Sequence, residues 1–560
     1  MNKLFKAIIA LVIPAVSLFA RESAVIKAAE TELQRAMKEL STEQLPPYFI
    51  SYGVTDKYEY SLSASFGKIT VDNESKSRTL DIDLRVGSYE FDNSHIIRGV
   101  AFSFSSDRSS FRLPIEDDIA ALRAAIWYGT DKSYKGAIET YQKVLTNKAV
   151  KVEEEDKSPD FSKEKPSVEI NDLKSIAFNK ENWKAILTRL SANFNTEKWL
   201  YFGSVSFNVE LYNKYFVSTE GTKLQWSEPY VRIFISLNTK ADDGMSLPLY
   251  KSYFAFSPEE LPNEKTMEKD LLELVATLKT MRTAPIMATY SGPALLSGDA
   301  SGVFFHEIFG HRIEGERLKD PKDAQTFKNS VGQKVLPDFI SVSSEPLNNK
   351  IEDISLAGYY KYDDEGIKSQ NVAVVENGVF RNFLMSRTPI DGFSNSNGHG
   401  RRQPGYKAVS RQSNLIVQSG NKFSDNDLRI MFIDELKKQG KEFGLYFKKV
   451  QGGFTFTGRS IPNSFNVNPI LVYKIYADGR PDEMVRGVDL IGTPLTTFSN
   501  IIATGDKYEV FNGICGAESG GVPVSASSPA LLVSKIEVQK KAKSQAKPPV
   551  LPAPALDGNQ

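Results

Sequence analysis

The sequence predicts an α+β protein with an N-terminal domain of long helices and mixed or antiparallel strands, followed by a β-rich, barrel-like C-terminal domain. The chain has 560 residues, more than a single hydrophobic core accommodates. Its first half combines helical periodicity with alternating apolar runs. Residues 286–539 consist mostly of short apolar runs between glycine-rich turns, which is typical of short strands.

The composition is that of a folded protein without a dominant charge. Hydrophobic residues make up 41% of the chain and charged residues 25%. The 69 basic residues equal the 69 acidic residues, so the formal net charge is zero. Proteins that bind nucleic acid through their overall field carry an excess of positive charge. We therefore expect no nucleic-acid partner.

Residues 1–20 have the features of a secretory signal peptide. Lys3 and Lys6 give a positive start, Ala7–Phe19 is apolar, and Ala20 is a small residue before a cleavage point. A membrane anchor is the alternative, but these 13 apolar residues fall short of the roughly 20 that span a bilayer. We expect cleavage after residue 20 and an exported protein, periplasmic or secreted, without a membrane span.

Three helices are predicted in the N-terminal domain. Apolar residues recur at helical spacing in residues 21–40, 116–145 and 264–281. The second of these segments contains Gly129, which predicts a break in that helix.

The strands of the N-terminal domain are predicted in residues 48–103 and 199–256, where apolar and polar residues often alternate. Residues 148–166 are charged and contain two prolines, which predicts an exposed loop or linker. The Ala284-Pro285 pair then marks the end of a domain over residues 21–285. The C-terminal domain follows over residues 286–539, and the Lys-, Ala- and Pro-rich residues 540–560 predict a disordered tail.

His306, Glu307 and His311 form the most informative group of side chains. They lie in an apolar segment in which Asp299 and Ser301 are candidate helix N-caps. Zinc prefers imidazole, thiolate and carboxylate ligands, and a catalytic site leaves one position open for water. A nearby glutamate can take the proton of that water. The segment therefore indicates a metal site or, alternatively, two ordinary histidines on a partly buried helix.

The spacing of the two histidines departs from the familiar helical zinc motif. They differ by five positions, whereas HExxH places them four apart. On a regular helix they would be separated by about 140° around the axis. Both reach one metal only if the helix is distorted, which Gly310 would make easier. The other histidines, His95 and His399, are isolated, and structural or surface roles are expected for them.

Cys515 is the only cysteine, so the chain forms no internal disulfide. An exposed free thiol is a liability in the oxidising compartment expected for an exported protein. The thiol is therefore buried as a small hydrophobe, paired with another chain, or bound to a metal. Gly513 and Gly516 predict a tight turn around it.

Several motifs occur in the order that is typical of one peptidase family. They are HEIFGHRIEG (306–315), DDEG with VVENGV (363–366, 374–379), NGHGRR (397–402), GVDLIG (487–492), and GICG with VPV and SPAL (513–516, 522–524, 528–531). In these motifs the chain resembles the TldD/PmbA metallopeptidases, specifically the TldD-like subunit that carries HExxxH. The resemblance is weaker in the N-terminal half, where it rests mainly on VSTEG (217–221).

The resemblance implies that His306, His311 and Cys515 hold Zn²⁺ and that Glu307 is the general base. It implies hydrolysis of unfolded or extended peptides that enter an internal cavity, by a homodimer or a heterodimer with a related subunit. The alternative is an exported peptide-binding or assembly protein in which zinc is only structural. Ala517-Glu518-Ser519 departs from the family pattern, which leaves the substrate preference open.

Two further polar groups have competing interpretations. Asp363, Asp364 and Glu365 could orient the ligand imidazoles or form a solvated acidic turn. Arg401 and Arg402 could bind a peptide carboxylate, although surface charge is the favoured interpretation.

Overall fold

The computed structural model describes residues 21–97, 110–149, 156–320, 323, 325–455, 465–491, 498–541 and 549. The predicted signal peptide and most of the predicted tail lie outside these residues. The α-helices within them are α1 (Ala24–Leu40), α2 (Ile119–Ala149), α3 (Lys180–Ala192), α4 (Glu264–Thr283), α5 (Gly298–Ile308) and α6 (Asp425–Lys438). Short 3-10 helices cover Asn193–Thr196, Pro258–Glu260, Gly310–Arg312 and Gly315–Lys319.

The strands divide into an N-terminal and a C-terminal group. The first comprises β1 (Pro47–Ser65), β2 (Lys68–Val86), β3 (Ser110–Arg112), β4 (Val168–Ile170), β5 (Phe202–Ser218), β6 (Lys223–Lys240) and β7 (Ser246–Ala255). The second comprises β8 (Tyr290–Leu296), β9 (Ile340–Ser344), β10 (Lys350–Ile351), β11 (Ile354–Ser355), β12 (Val372–Glu376), β13 (Val379–Phe380), β14 (Gly400–Arg401), β15 (Val409–Ser410), β16 (Asn414–Ser419), β17 (Lys422–Phe423), β18 (Phe443–Thr455), β19 (Phe465–Tyr476), β20 (Glu483–Val485), β21 (Val488–Ile491), β22 (Ile501–Ala517) and β23 (Gly520–Lys540).

The N-terminal strands form one seven-stranded sheet in the order β3-β2-β1-β5-β6-β4, with β7 also paired to β6. One face of this sheet packs against α3 and α4, and alternate β6 residues such as Val231 and Ile233 are fully buried there. Strands β1 and β2 have 19 residues each and are longer than the short runs expected. Phe66 and Gly67 join them with φ of 49° and 78°, the backbone of a tight hairpin turn.

Helix α2 corrects the predicted break at Gly129, because it runs through this position without interruption. Gly129 is buried against β2 and β3, and a Cβ atom at this position would come within 2.9 Å of the Phe111 ring. The glycine therefore permits close packing of the helix on the sheet. Helices α3 and α6 were not predicted.

The segment predicted as an exposed loop, residues 148–166, is partly buried. Within its described part, Phe161 is 2% exposed and lies between two guanidinium groups. The Arg85 and Arg387 guanidinium carbons are 3.6 Å and 3.9 Å from the centre of its ring. This cation–π stacking anchors the segment to both halves of the chain and corrects the expectation of a solvated linker.

Twelve of the described C-terminal strands form one sheet, which includes a closed ring, and β10-β11 and β14-β15 form two small sheets. Strand β23 pairs with β8, β16, β21 and β22, and the pairings β8-β18-β19-β21-β23-β8 return to their starting strand. Such closure is what defines a barrel. The predicted α+β class and β-rich C-terminal half are confirmed.

Helix α5 is buried against the barrel strands. Its apolar residues, which include Phe304, Phe305 and Ile308, contribute to the largest apolar core of the C-terminal half. The two halves of the molecule also share packing, because Leu471 on β19 lies in the core of the N-terminal sheet. None of the described helices combines the length and apolarity that crossing a membrane requires.

Candidate metal centre

Local contacts determine both ends of helix α5. Ser297 is its N-cap, with an Oγ that accepts a hydrogen bond from Ala300 N at 3.1 Å, so neither Asp299 nor Ser301 has the predicted role. The α-helix ends at Ile308, and a 3-10 turn follows over Gly310–Arg312. The predicted distortion between the histidines is thus a change of helix type.

Gly310 is required at this change of helix type by a close neighbour. A Cβ atom here would lie 1.9 Å from Oε1 of Gln412, far inside contact distance. Because no side chain obstructs the approach, Gln412 Nε2 donates a 3.3 Å hydrogen bond to the carbonyl of His306. Its amide therefore fixes the end of the helix that carries the first histidine.

His306, His311 and Cys515 converge on one point. The Cys515 Sγ atom lies 3.2 Å from His306 Nε2 and 3.4 Å from His311 Nε2. One possible ligand atom from each residue lies within 4.8 Å of those of the other two. All three side chains are buried, as is Glu307, at 8% exposure. The structure therefore brings together every side chain predicted for the site.

Cys515 reaches the histidines from strand β22, more than 200 positions along the chain. It pairs with Val522 of β23 in the hairpin that joins the last two strands. Gly513 and Gly516 are strand positions, so the predicted tight turn around the cysteine is wrong. The turn lies after Ala517.

Glu314 orients His311 from the side opposite the cysteine. Its fully buried carboxylate accepts from His311 Nδ1 at 3.2 Å and from Arg317 Nε at 2.8 Å. A proton on Nδ1 leaves the Nε2 lone pair directed at the site. The role of Glu314 was not predicted, although it occupies the second glutamate of the HExxxHxxEG motif.

Arg411 supports the centre on the side of Cys515. Its Nη2 donates to the carbonyl of Cys515 at 2.6 Å, and its Nη1 donates to Ser519 Oγ at 2.7 Å. Its Nε lies 3.6 Å from the Glu314 carboxylate. No sequence signal indicated Arg411, because its contacts are to positions more than 90 residues away and largely to backbone.

The pKa values of the cysteine and of His311 reflect how each favours the charged form of the other. Burial disfavours the Cys515 thiolate, yet His311, His306 and Arg411 together place the pKa of Cys515 well below its usual value. Burial likewise opposes charge on His311, but Cys515 and Glu314 raise its pKa well above 6.5. Burial raises the pKa of Glu307, and the two histidines only partly oppose this.

The donor set fits Zn²⁺. Two imidazole nitrogens and a thiolate are among the ligand combinations of catalytic zinc, and a carboxylate behind one imidazole is a common support. The buried Nδ1 of His306 has no hydrogen-bond partner among the described residues, whereas its Nε2 faces the site. The chemistry and arrangement of these side chains therefore suit a metal.

The acidic group at residues 363–365 is neither a solvated turn nor a support for the histidines. Asp363 is 1% exposed and accepts from the backbone N–H groups of Glu365, Ile367 and Gly400. Asp364 pairs with Lys214 at 3.0 Å. These carboxylates stabilise a turn against the N-terminal sheet.

Arg401 and Arg402 correct the prediction of surface charge. Arg401 is 5% exposed and donates to the carbonyls of Gln412 and Pro523. Arg402 lies 3.5 Å from Asp81 of β2. His399 is fully buried and bonds Asn397 and Ser344, in line with the structural role expected for it.

Known proteins resemble both the sequence and the fold. Residues 289–540 match the PmbA/TldA metallopeptidase C-terminal domain. A metalloprotease of Methanothermobacter thermautotrophicus is 27% identical over 318 residues, which cover 56% of this chain and 64% of that protein. A zinc metalloprotease TldD homolog of Saccharolobus solfataricus is 22% identical over 248 residues, 44% of this chain and 51% of its own length.

Solved structures share the fold across both halves of the molecule. TldE from Thermococcus kodakarensis superposes with a TM-score of 0.60 at 12% identity, over 91% of this chain and 100% of its own. A proposed modulator of a DNA gyrase from Thermotoga maritima gives a TM-score of 0.61 at 15% identity, over 91% of this chain and 99% of its own. The C-terminal part of the chain, residues 289–540, is therefore similar to the C-terminal domain of the TldD/PmbA metallopeptidases.

Proposed function

We propose that the protein is a zinc-dependent peptidase that hydrolyses unfolded or extended peptides. The convergence of His306, His311 and Cys515 beside Glu307 carries this proposal. The metalloprotease names of its relatives support the reaction class.

Glu307 is the proton carrier in the proposed reaction. Zinc held by the two histidines and the cysteine would supply a Lewis acid that polarises a peptide carbonyl and activates water. The Glu307 carboxylate accepts the proton that the attacking water loses and delivers it to the departing amine. Burial raises the pKa of Glu307, which strengthens it as a base toward that proton.

The number of ligands favours catalysis over a structural role for zinc. Structural sites are almost always closed by four protein ligands, whereas catalytic sites use three. Within the described residues, the only group of side chains that could hold a metal contains three members. The alternative of a peptide-binding or assembly protein with structural zinc is therefore less well supported.

Replacement of Glu307 by Gln tests the proposal. Gln is nearly isosteric but cannot accept the proton, so cleavage of an unstructured peptide should fall by a factor on the order of 100 or more. Zinc content, measured by mass spectrometry of the purified protein, should be unchanged. Glu259→Gln, at an exposed position, should keep full activity as a control. Undiminished cleavage by Glu307→Gln would refute its role as the base, and a wild-type protein that binds no metal would refute the site.

We further propose that the mature protein acts outside the cytoplasm and in a dimer. The signal-like residues 1–20 support export to the periplasm or the medium. The shared fold with TldE supports association with a second copy or with a related subunit.

A further inference from the structure

Arg232 lies on the face of the N-terminal sheet that α3 and α4 leave uncovered. Its cross-strand neighbours are Asn208 on β5 and Phe254 on β7. Its guanidinium carbon is 5.5 Å from the centre of the Phe254 ring. From this face its Nη1 donates to the carbonyl of Asn512 on β22 at 2.8 Å. Arg232 therefore projects from the N-terminal half onto the strand that carries Cys515.

The positive charge of Arg232 has no anionic partner among the described residues. No carboxylate of that part of the chain lies within 4.0 Å of it, and the Nη1 contacts are to neutral atoms, Asn512 O and Ser252 Oγ. Glu210 on the same face is held by Lys57 at 2.7 Å. Burial lowers the pKa of Arg232, and the attraction of the Glu210 carboxylate only partly opposes this.

Two more deeply buried arginines are neutralised by carboxylates. Arg85 pairs with Asp92 at 2.9 Å and Arg387 with Glu220 at 2.8 Å. A guanidinium offers five donors in a planar fork that matches a carboxylate. Because Arg232 uses only Nη1 in described contacts, its remaining donors suit an incoming anion.

The backbone carbonyl that Arg232 contacts lies a short way along β22 from Cys515. Asn512 and Cys515 are three positions apart on β22, which corresponds to about 10 Å along a strand. An extended chain advances about 3.3–3.6 Å per residue, so roughly three residues bridge this distance. Lys449 provides a second link between the sheet face and α5. Its Nζ lies 4.5 Å from the centre of the Tyr250 ring on β7 and 3.3 Å from Asp299 Oδ2 on α5.

We propose that Arg232 binds the C-terminal carboxylate of a peptide substrate and thereby sets the cleavage point about three residues from that end. The inference rests on the proposed peptidase function for the reaction, but not for the binding of the carboxylate. Water adds across one C–N bond, and the released fragment keeps the carboxylate that Arg232 holds.

Binding to a hydrolysis-deficient protein tests the site without turnover. A fluorescent, unstructured peptide without Asp or Glu would be titrated into full-length Glu307→Gln, once with a free C-terminal carboxylate and once as the C-terminal amide. The carboxylate form should bind on the order of tenfold more tightly, as expected for a charge-assisted hydrogen-bonded pair. Equal affinity of the two forms would overturn the proposal, and this comparison does not depend on an Arg232 variant folding.

Variants then assign the preference to Arg232. Arg232→Gln in the Glu307→Gln background should abolish the preference for the carboxylate, and Arg232→Lys should keep part of it. Arg429→Gln, which removes a partly exposed α6 arginine that pairs with Asp482, should preserve it as the matched control. A preference that survives Arg232→Gln would overturn the assignment.

The products of the wild-type protein test the cleavage point. Mass spectrometry should find fragments of about three residues released from the carboxyl end, and blocking that end as an amide should reduce their yield. Internal cleavage that ignores the position of the carboxyl end would overturn this part. Absence of all cleavage, together with a carboxylate preference in binding, would refute the peptidase function while the Arg232 site stands.

Discussion

Glu314 shows how one buried carboxylate can determine the geometry of the metal centre. It accepts from His311 Nδ1 and neutralises Arg317, so it selects the tautomer that points Nε2 at the site. Both donors meet the same oxygen, Oε2, and its negative charge strengthens both hydrogen bonds.

We expect Glu314→Gln to weaken zinc binding by about 10- to 100-fold, since supporting groups of this kind contribute on that scale. Competition with a chromogenic chelator measures the change. Glu518→Gln is the matched control, because Glu518 also pairs with Arg317, at 3.0 Å, and has no described contact with His311. Equal losses in the two variants would show that the effect passes through Arg317 and not through His311.

Glu365 provides a pH-dependent test of the buried acidic turn. Burial raises its pKa to about 7, although Arg387 N donates to its Oε2 at 2.7 Å. A carboxyl whose pKa is higher in the folded state stabilises the fold most when protonated, and that contribution is lost as pH rises from about 4.5 to 7. Glu365→Gln should therefore reduce the fall in melting temperature across this window. The expected difference is a few kcal/mol at most, because a tenfold change in proton affinity corresponds to about 1.4 kcal/mol. An unaltered pH profile would contradict this assignment.

At the residue level, the sequence could identify the side chains of the centre but not their supports. His306, Glu307, His311 and Cys515 belong to recognisable motifs, and the structure places them together. Their roles as ligands and base remain predictions. Arg411 could not be found from local patterns, because its contact with the Cys515 carbonyl depends on how distant strands are paired.

At the level of elements, the change from α-helix to 3-10 turn at Gly310 is the feature most sensitive to substitution. Gly310→Ala introduces a methyl group that overlaps Gln412, so we expect a loss of about 1–3 kcal/mol in the free energy of unfolding. The amide of Gln412 would also be displaced from the His306 carbonyl, which should reduce zinc retention.

Thermal melting and metal analysis of Gly310→Ala test this expectation. Gly516→Ala is the control, because it places the same methyl group beside the other ligand, where no atom lies within 4 Å. Comparable melting temperatures for the two variants would contradict the packing argument.

The helices show where sequence periodicity succeeds and fails. α1 and α4 were predicted because a broad apolar face recurs over several turns, with buried residues such as Met267 and Leu271 in α4. α6 was missed because only Leu428, Phe432 and Leu436 are buried in it, within a region that otherwise resembles short strands. Gly129 was misread because its effect depends on the Phe111 ring, which packs against it from another element.

At the scale of the whole molecule, the two halves share a hydrophobic core. Leu471 belongs to β19 of the C-terminal sheet, yet it is 6% exposed within the core of the N-terminal sheet. The sequence could divide the chain near residue 285 by composition, but it could not show this packing, since no local pattern records which surface an apolar side chain meets.

We expect Leu471→Ala to lower the free energy of unfolding by about 2–5 kcal/mol, the range for truncation of a buried leucine. Chemical denaturation followed by tryptophan fluorescence measures this, because Trp183 lies in the same core. Leu347→Ala, at a position 40% exposed, should change stability little. A neutral effect of Leu471→Ala would show that the halves are energetically independent.

The placement of Cys515 on the penultimate strand has a consequence for biosynthesis. A chain emerging from the ribosome carries both histidines long before the thiolate that completes the donor set. The centre therefore cannot assemble until the last hairpin is made, and a product truncated before residue 515 lacks a full set of ligands. Completion of the proposed zinc site is in this way delayed until Cys515 has been made, so shorter chains would lack the proposed peptidase activity.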